Sequence, residues 1–160
     1  MGQALLPRRE GDILIPPEGF GLVFMGGGAK GAYQLGVWQA LRELDIPIQA
    51  VTGASIGSIN GALLAQGDFQ AALDAWHSVR MSQIVKADGI SDATENLLDP
   101  RNLALITREM IMRRGLDNTP LRDTLAAILD EDRIRASGID YGMTTFSKTD
   151  LSTTEIFVGD

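Results

Sequence analysis

The residues best suited to chemistry in this sequence are a serine and its neighbouring glycines, in the segment Gly53-Ala54-Ser55-Ile56-Gly57. A Gly-x-Ser-x-Gly segment is typical of hydrolases in which a strand turns sharply into a helix and presents the serine hydroxyl at the tip. The glycines keep side chains out of the crowded bend. The chemistry indicated is nucleophilic attack by Ser55 on an ester carbonyl, with Gly53 and Gly57 supporting the turn. The alternative is a serine that only caps its helix.

A second glycine-rich segment, Gly26-Gly27-Gly28-Ala29-Lys30-Gly31, precedes the serine turn. Backbone N–H groups at the start of a helix attract negative charge, so this loop could stabilise the oxyanion of a tetrahedral acyl intermediate. Read as Gly-x-Gly-x-x-Gly, it also fits a dinucleotide-binding fingerprint, although the acidic residue expected about 20 positions later is missing. A Walker P-loop is excluded because Lys30 precedes Gly31. A glycine-rich turn without function is the remaining alternative.

The elements that must position these segments follow from the apolar pattern. Phe20–Met25 is a short apolar run typical of a buried strand, and helical spacing follows from Lys30. A second strand is predicted at Ile48–Thr52, with a helix after the serine turn that ends near Gly67. This alternation predicts an α/β fold with a mostly parallel sheet and helices on both faces. One crossover separates the two glycine-rich turns, so we expect them side by side at the carboxyl edge of the sheet.

The later part of the chain is predicted to contain further helices and a β-hairpin. Helical spacing continues over Asp68–Met81, and a helix is predicted to start at Asn118-Thr119-Pro120. Residues 139–158 alternate in the manner of a hairpin. Met81–Arg114 could form a mobile cap that guides an acyl chain, or a helix packed on the sheet.

Composition and charge narrow the classes of protein. The chain has 160 residues, a formal net charge of −7 and no cysteine, which excludes disulfide scaffolds and thiolate metal sites. The acidic residues are spread along the chain, which disfavours a nucleic-acid partner. We expect an irregular leader over residues 1–19, without an export signal, and expect residues 20–160 to belong to one domain. The default expectation is a cytoplasmic protein.

The two glycine-rich segments, in this order and spacing, resemble the patatin-like phospholipase family. Gly115–Arg122 and the hairpin at 139–158 are also similar, so the resemblance covers about residues 20–158. It implies a three-layer fold, of which residues 20–160 would form the N-terminal portion, without the last elements of the domain. It also implies hydrolysis of acyl esters in phospholipids, lysophospholipids or related lipids, with no metal or cofactor.

The same resemblance assigns roles to individual residues. Ser55 would be the nucleophile, and the backbone amides of Gly27 and Gly28 would form the oxyanion hole. Lys30 would take the place of the family's basic residue beside that hole. The remaining motif positions are Gly26, Gly31, Gly53 and Gly57.

The residues named so far do not include a general base that could accept the proton of Ser55. His77 is the only histidine, and we interpret it as an ordinary helix residue. The family uses an aspartate in an Asp-Gly-Gly or Asp-Gly-Ala motif after the hairpin, whereas Asp88-Gly89 comes too early and is predicted to be a turn. We expect the aspartate to lie outside this chain. The late carboxylates, none of which we nominate, are Asp140, Asp150 and Asp160.

Three functional hypotheses therefore remain open. The leading one is a serine acyl-ester hydrolase with a Ser–Asp dyad. The others are a nucleotide-binding module that uses the glycine loop, and a non-catalytic interaction domain of the same shape. The expected partners are a lipid or acyl-ester substrate and, transiently, a membrane surface, but no nucleic acid. A sheet that stops after the hairpin would expose strand edges, so we expect low stability or self-association of the isolated chain.

Overall fold

The computed structural model describes residues 8–10, 13–15, 19–80, 84, 119–147 and 149–159. The chain divides into two compact units, Met1–Leu73 with Asp130–Asp160, and Asp74–Leu129. The first unit contains the sheet and both glycine-rich turns. The second unit contains the end of one helix and the whole of another.

The first unit holds most of the described secondary structure. Its elements are, in chain order, β1 (Arg8–Glu10), β2 (Ile13–Ile15), β3 (Phe20–Phe24), a 3-10 turn (Gly28–Gly31), α1 (Ala32–Glu43), β4 (Ile48–Ala54), α2 (Ile56–Gln66), the start of α3 (Phe69–Ser78), α5 (Glu131–Ala136), β5 (Asp140–Ser147) and β6 (Ser152–Phe157). Helix α3 ends in the second unit, which also contains α4 (Thr119–Ile128).

The main sheet has four strands in the order β3-β4-β5-β6. Strands β3, β4 and β5 are parallel, and β6 returns antiparallel to β5. Val51 on β4 lies opposite Leu22 on β3 and Tyr141 on β5. The predicted α/β class, with a mixed, mostly parallel sheet and helices, is confirmed. The hairpin predicted at residues 139–158 is confirmed as β5 and β6.

Helix α2 is central to the core because it packs on the parallel strands directly behind the serine turn. Val51 is fully buried, and Leu63 on α2 is only 1% exposed. A Cβ added at Gly61 would lie 3.2 Å from the ring of Tyr141 and 3.4 Å from Val51, so α2 approaches these strands closely. Small and apolar residues on every side of α2 fit a helix that is buried almost all round.

Helix α1 is fixed to the start of α3 by aromatic contacts. Trp38 meets Phe69 edge to face, with ring centroids 4.9 Å apart. The guanidinium of Arg42 lies 4.7 Å from the centre of the same Phe69 ring. Edge-to-face aromatic pairs and stacked guanidinium groups each add to the stabilisation from area burial alone.

Several predicted boundaries need correction. The leader was expected to be irregular, but Arg8–Glu10 and Ile13–Ile15 pair as antiparallel strands. Helix α5 (Glu131–Ala136) has no counterpart in the sequence-based prediction, which places one helix, starting at Asn118-Thr119-Pro120, before the hairpin. Strand β4 continues two residues past Thr52, because Gly53 and Ala54 still pair with β5. Helix α3 ends at Ser78 instead of continuing to Met81.

Part of the sequence-based interpretation lies outside the described residues. This applies to the cap predicted over Met81–Arg114, apart from residue 84, to the turn at Asp88-Gly89, and to Asp160. No helix in the described part of the chain is long and apolar enough to span a membrane.

Candidate active site

Ser55 occupies a strained backbone conformation between β4 and α2. Its φ and ψ angles are 52° and −126°, and its side chain is exposed. A positive φ of this kind is rarely adopted by residues other than glycine and costs about 1–3 kcal/mol. The strain is accepted where the surrounding structure enforces it, as in the sharp strand-to-helix turn that presents a serine hydroxyl.

The glycines on either side of Ser55 are required by close backbone approach. A Cβ on Gly53 would collide with the carbonyl group of Gly57 and lie 2.6 Å from the amide nitrogen of Ser58. A Cβ on Gly57 would collide with the carbonyl oxygen of Phe24 and lie 2.6 Å from its carbonyl carbon. Gly53 and Gly57 therefore allow the start of α2 to press against the ends of β3 and β4.

The glycine loop lies beside the serine turn, as the single crossover between them predicts. A Cβ on Gly26 would be 3.2 Å from the Cβ of Ser55 and 3.9 Å from its Oγ. Gly27 and Gly28 have φ angles of 141° and 55°, which suit glycine and strain other residues. Neither the Gly27 nor the Gly28 amide donates a backbone hydrogen bond within the described part of the chain. These N–H groups are the donors that an oxyanion would require.

A network of side-chain amides, which starts from the buried Asn60, joins the glycine loop to the helix that follows Ser55. Asn60 on α2, which is only 1% exposed, donates from Nδ2 to the carbonyl of Gly31 at 3.0 Å and to Oε1 of Gln34 at 2.7 Å. Gln34 in turn donates from Nε2 to the carbonyl of Met25 at 2.7 Å. Met25 and Gly31 are the residues at the two ends of the loop. Sequence analysis missed Asn60 and Gln34, although a polar residue at a buried position of an apolar helix was the available signal.

The turn after Ser55 is held by a second set of bonds. The backbone N–H and the hydroxyl of Ser58 both donate to the carbonyl of Ser55, at 3.0 and 2.6 Å. The Tyr141 hydroxyl on β5 donates to the carbonyl of Ser58 at 2.9 Å. Burial raises the pKa of Tyr141 to about 12, so its hydroxyl remains a donor at neutral pH.

The remaining predicted residues are less closely tied to this arrangement. Lys30 is exposed, and its Cβ and Cδ would each lie 3.5 Å from a Cβ on Gly27, so its aliphatic stem lies along the loop. His77 is exposed near the end of α3, in the second unit. Its exposure agrees with the interpretation as an ordinary helix residue.

Two of the late carboxylates, Asp140 and Asp150, lie within the described residues, in β5 and in the hairpin turn. Asp140 begins β5 opposite Ala50, so it lies about 13 Å before the level of Ala54, the residue that precedes Ser55. Asp150 accepts a hydrogen bond from the Ser147 hydroxyl at 3.0 Å within the hairpin turn. Neither the position of Asp140 nor the hydrogen bond of Asp150 identifies a base for Ser55.

The arrangement of Ser55 and the glycine loop suits acyl transfer. An exposed serine hydroxyl lies next to a loop in which the Gly27 and Gly28 amides have no backbone acceptor among the described residues, which is the pairing needed for attack on a carbonyl and stabilisation of the oxyanion. In the part of the chain that the structure describes, no three His, Cys, Asp or Glu side chains group as metal ligands would.

Comparisons with known proteins agree with this geometry. The sequence profile of the patatin-like phospholipases matches residues 22–159. A lysophospholipase of Aspergillus terreus is 56% identical over 46 residues, which is 29% of this chain and 3% of that protein. A patatin-like phospholipase domain-containing protein of Caenorhabditis elegans is 49% identical over 53 residues, 33% of this chain and 4% of that protein. The chain thus spans a small fraction of the length of these relatives.

A solved structure is similar in fold. VipD from Legionella pneumophila superposes with a TM-score of 0.54 at 18% sequence identity, covering 91% of this chain and 40% of that chain. At this identity the match concerns the fold alone. Because the family profile covers most of the sequence and includes both glycine-rich turns, the chain belongs to the patatin-like phospholipase family.

Proposed function

We propose that the protein is a serine hydrolase that cleaves acyl esters of phospholipids, lysophospholipids or related lipids. The observation that carries the proposal is the exposed Ser55 at a φ of 52°, which lies against Gly26 of the loop that contains the Gly27 and Gly28 amides. Strained residues over-determined by their surroundings occur preferentially at active sites.

The proposed reaction has two half-reactions. In the first, the Ser55 Oγ attacks the ester carbonyl carbon while its proton passes to a carboxylate base, and the carbonyl oxygen gains negative charge at the Gly27 and Gly28 amides. The C–O bond to the alcohol then breaks, and the alcohol takes the proton. In the second, the water oxygen attacks the carbonyl carbon of the acyl-serine while the carboxylate base takes a proton from that water. The bond between this carbon and the Ser55 Oγ then breaks, and Oγ takes the proton from the base as the fatty acid is released.

The general base is the finer part of the proposal. Following the family resemblance, we assign it to an aspartate outside this chain that accepts the Ser55 proton directly. The positions of Asp140 and Asp150 support this assignment. Asp140 lies at the end of β5 that is far from Ser55, and Asp150 is hydrogen-bonded to Ser147 in the hairpin turn.

Exposed apolar side chains around the glycine loop support a lipid substrate. Met25, immediately before the loop, is 76% exposed, and Tyr33, in the first turn of α1, is 79% exposed. Large exposed apolar side chains close to a candidate site favour an apolar ligand or a membrane surface. The names of the relatives, which include lysophospholipases, point in the same direction.

The proposal is tested by substrate hydrolysis in the protein that contains this chain. Fatty-acid release from a lysophosphatidylcholine is measured for the parent, for Ser55→Ala, and for Ser78→Ala, which removes a hydroxyl that only bonds to the carbonyls of Asp74 and Ala75 on its own helix. We expect Ser55→Ala to lose at least about a thousandfold in kcat. Ser78→Ala should keep the parent rate. Equal hydrolysis by Ser55→Ala and the parent would contradict the proposal.

A further inference from the structure

We infer that Asn60 and Gln34 are positioning residues that hold the glycine loop at its working distance from Ser55. The inference rests on the proposed function for its catalytic consequence. The claim that the two side chains restrain the loop rests only on their hydrogen bonds. The two residues form what we call the amide clamp, composed of Asn60 on α2 and Gln34 on α1.

The amide clamp restrains both ends of the glycine loop through hydrogen bonds that start from the buried Asn60. Asn60 Nδ2 uses one hydrogen on the Gly31 carbonyl and the other on Gln34 Oε1, at 3.0 and 2.7 Å. Gln34 then passes the restraint to the Met25 carbonyl, 2.7 Å from its Nε2. The five residues between Met25 and Gly31 include Gly27 and Gly28, and glycine is the residue type with the least restricted backbone angles.

The polarity of the clamp fixes the orientation of both amide groups. If the Asn60 amide were reversed, its oxygen would face the Gly31 carbonyl and the Gln34 Oε1, which are both acceptors. Gln34 must present its oxygen to Asn60, and consequently its nitrogen faces Met25. The chain of bonds therefore has a single direction, from α2 through Gln34 to the loop.

The location of the clamp links it to Ser55 more than to general stability. Asn60 lies on the helix that begins directly after Ser55, so the reference point for the loop is the element that carries the nucleophile. Otherwise the loop contains only glycine, alanine and an exposed lysine between its ends. A shift of about 1 Å between reacting groups can lower a rate about a hundredfold. Restraint of this loop is thus a catalytic requirement.

The test compares the same substitution at two glutamines of α1. Gln34→Met removes the link to Met25, whereas Gln39→Met removes only an exposed bond to Glu43 at 2.8 Å on the same helix. A third variant, Gln34→Glu, keeps an acceptor for Asn60 and removes the donor to Met25. Because Asn60 is buried and its substitution could prevent folding, it is left unchanged.

Two readouts are measured in the protein that contains this chain. The first is hydrogen exchange of the peptide spanning residues 25–31, which includes the Lys30 amide bonded to the Gly27 carbonyl at 3.2 Å. The second is kcat and KM for lysophosphatidylcholine hydrolysis. For Gln34→Met and Gln34→Glu we expect exchange about tenfold faster in this peptide alone. We also expect kcat about 10- to 100-fold lower with KM within about twofold, and parent values for Gln39→Met.

The outcomes separate this inference from the proposed function. Loop exchange identical in Gln34→Met and Gln39→Met would overturn the clamp even if Ser55 is the nucleophile. Faster exchange throughout the protein, with activity falling in proportion to the unfolded fraction, would overturn it as well. Faster exchange confined to residues 25–31 supports the restraint of the loop, whatever Ser55→Ala does to hydrolysis.

Discussion

Replacing Gly57 by alanine tests the close packing that brings the two glycine-rich turns together. The added Cβ would collide with the carbonyl oxygen of Phe24, and it would lie 2.6 Å from the Phe24 carbonyl carbon and 2.9 Å from the Met25 carbonyl oxygen. All three atoms belong to the backbone, so no side chain can rotate away. Carbon atoms in contact are about 3.5 Å apart, so the end of β3 must move by about 1 Å relative to α2.

The cost follows from a matched comparison with Gly36. Gly36 lies within α1, and a Cβ there would meet no atom within 4 Å. Both changes share the gain of about 0.5–1 kcal/mol from replacing a helical glycine. Their difference therefore isolates the steric collision, which we expect to be about 1–3 kcal/mol.

The assay is urea unfolding of Gly57→Ala and Gly36→Ala under identical conditions. The free energy of unfolding of Gly36→Ala should equal that of the parent or exceed it by up to about 1 kcal/mol. That of Gly57→Ala should be about 1–3 kcal/mol lower than that of Gly36→Ala. The displaced end of β3 carries the glycine loop, so kcat of Gly57→Ala should also fall about 10- to 100-fold. Equal stability of the two variants would refute the packing argument.

Three further predictions concern strain, capping and ionisation. Ser55→Gly should be about 1 kcal/mol more stable than Ser55→Ala in urea unfolding, because only glycine relieves the positive φ of 52°, and equal stability would contradict the strain. Asp130 is the N-cap of α5, where its side chain accepts a hydrogen bond from the Arg133 amide at 3.0 Å. In urea unfolding, Asp130→Ala should therefore lower the free energy of unfolding by about 1 kcal/mol, and the control Asp132→Ala should lower it by less than about 0.5 kcal/mol. Because the pKa of Tyr141 is raised from 10.0 to about 12, its contribution to folding is complete below pH 10.0 and is lost as the pH rises towards 12, by at most about 3 kcal/mol. Denaturation followed against pH should show a shallower fall over that interval for Tyr141→Phe, and an identical fall would count against burial as the cause.

Sequence alone was enough to predict the two turns because residue type dictates their backbone. Gly53 and Gly57 are the residues without a Cβ at points where the backbones of β3, β4 and α2 nearly touch. The strand on one side of Ser55 and the helix on the other were evident from the apolar pattern. The order of those elements was sufficient to predict that the two turns lie side by side, and the structure places Gly26 against Ser55.

Helix α5 was missed although its signals are present. Asp130 is a favourable N-cap, two acidic residues occupy the first turn, and Arg133 and Arg135 lie in the last turn. With only six residues, α5 carries too few apolar positions to show helical periodicity, and Ile134 is its single buried residue. Capping chemistry was therefore the better guide here than hydrophobic spacing.

The amide clamp was beyond prediction from the sequence. Gln34 and Asn60 are 26 residues apart and lie on different helices, and their hydrogen bond depends on how α1 and α2 are placed against each other. Tertiary packing sets that placement. The sequence pattern of each helix predicts only which of its faces is apolar. A polar side chain within an apolar helix can be recognised in a sequence, whereas its partner cannot.

The most direct test of the central claim is identification of the residue that reacts with a fluorophosphonate probe. The protein that contains this chain is labelled, digested and mapped by mass spectrometry, beside Ser55→Ala and Ser78→Ala. Our account predicts one adduct, on the peptide containing Ser55, which is lost in Ser55→Ala and kept in Ser78→Ala. Unchanged labelling of Ser55→Ala, or no adduct in a folded parent protein, would contradict it.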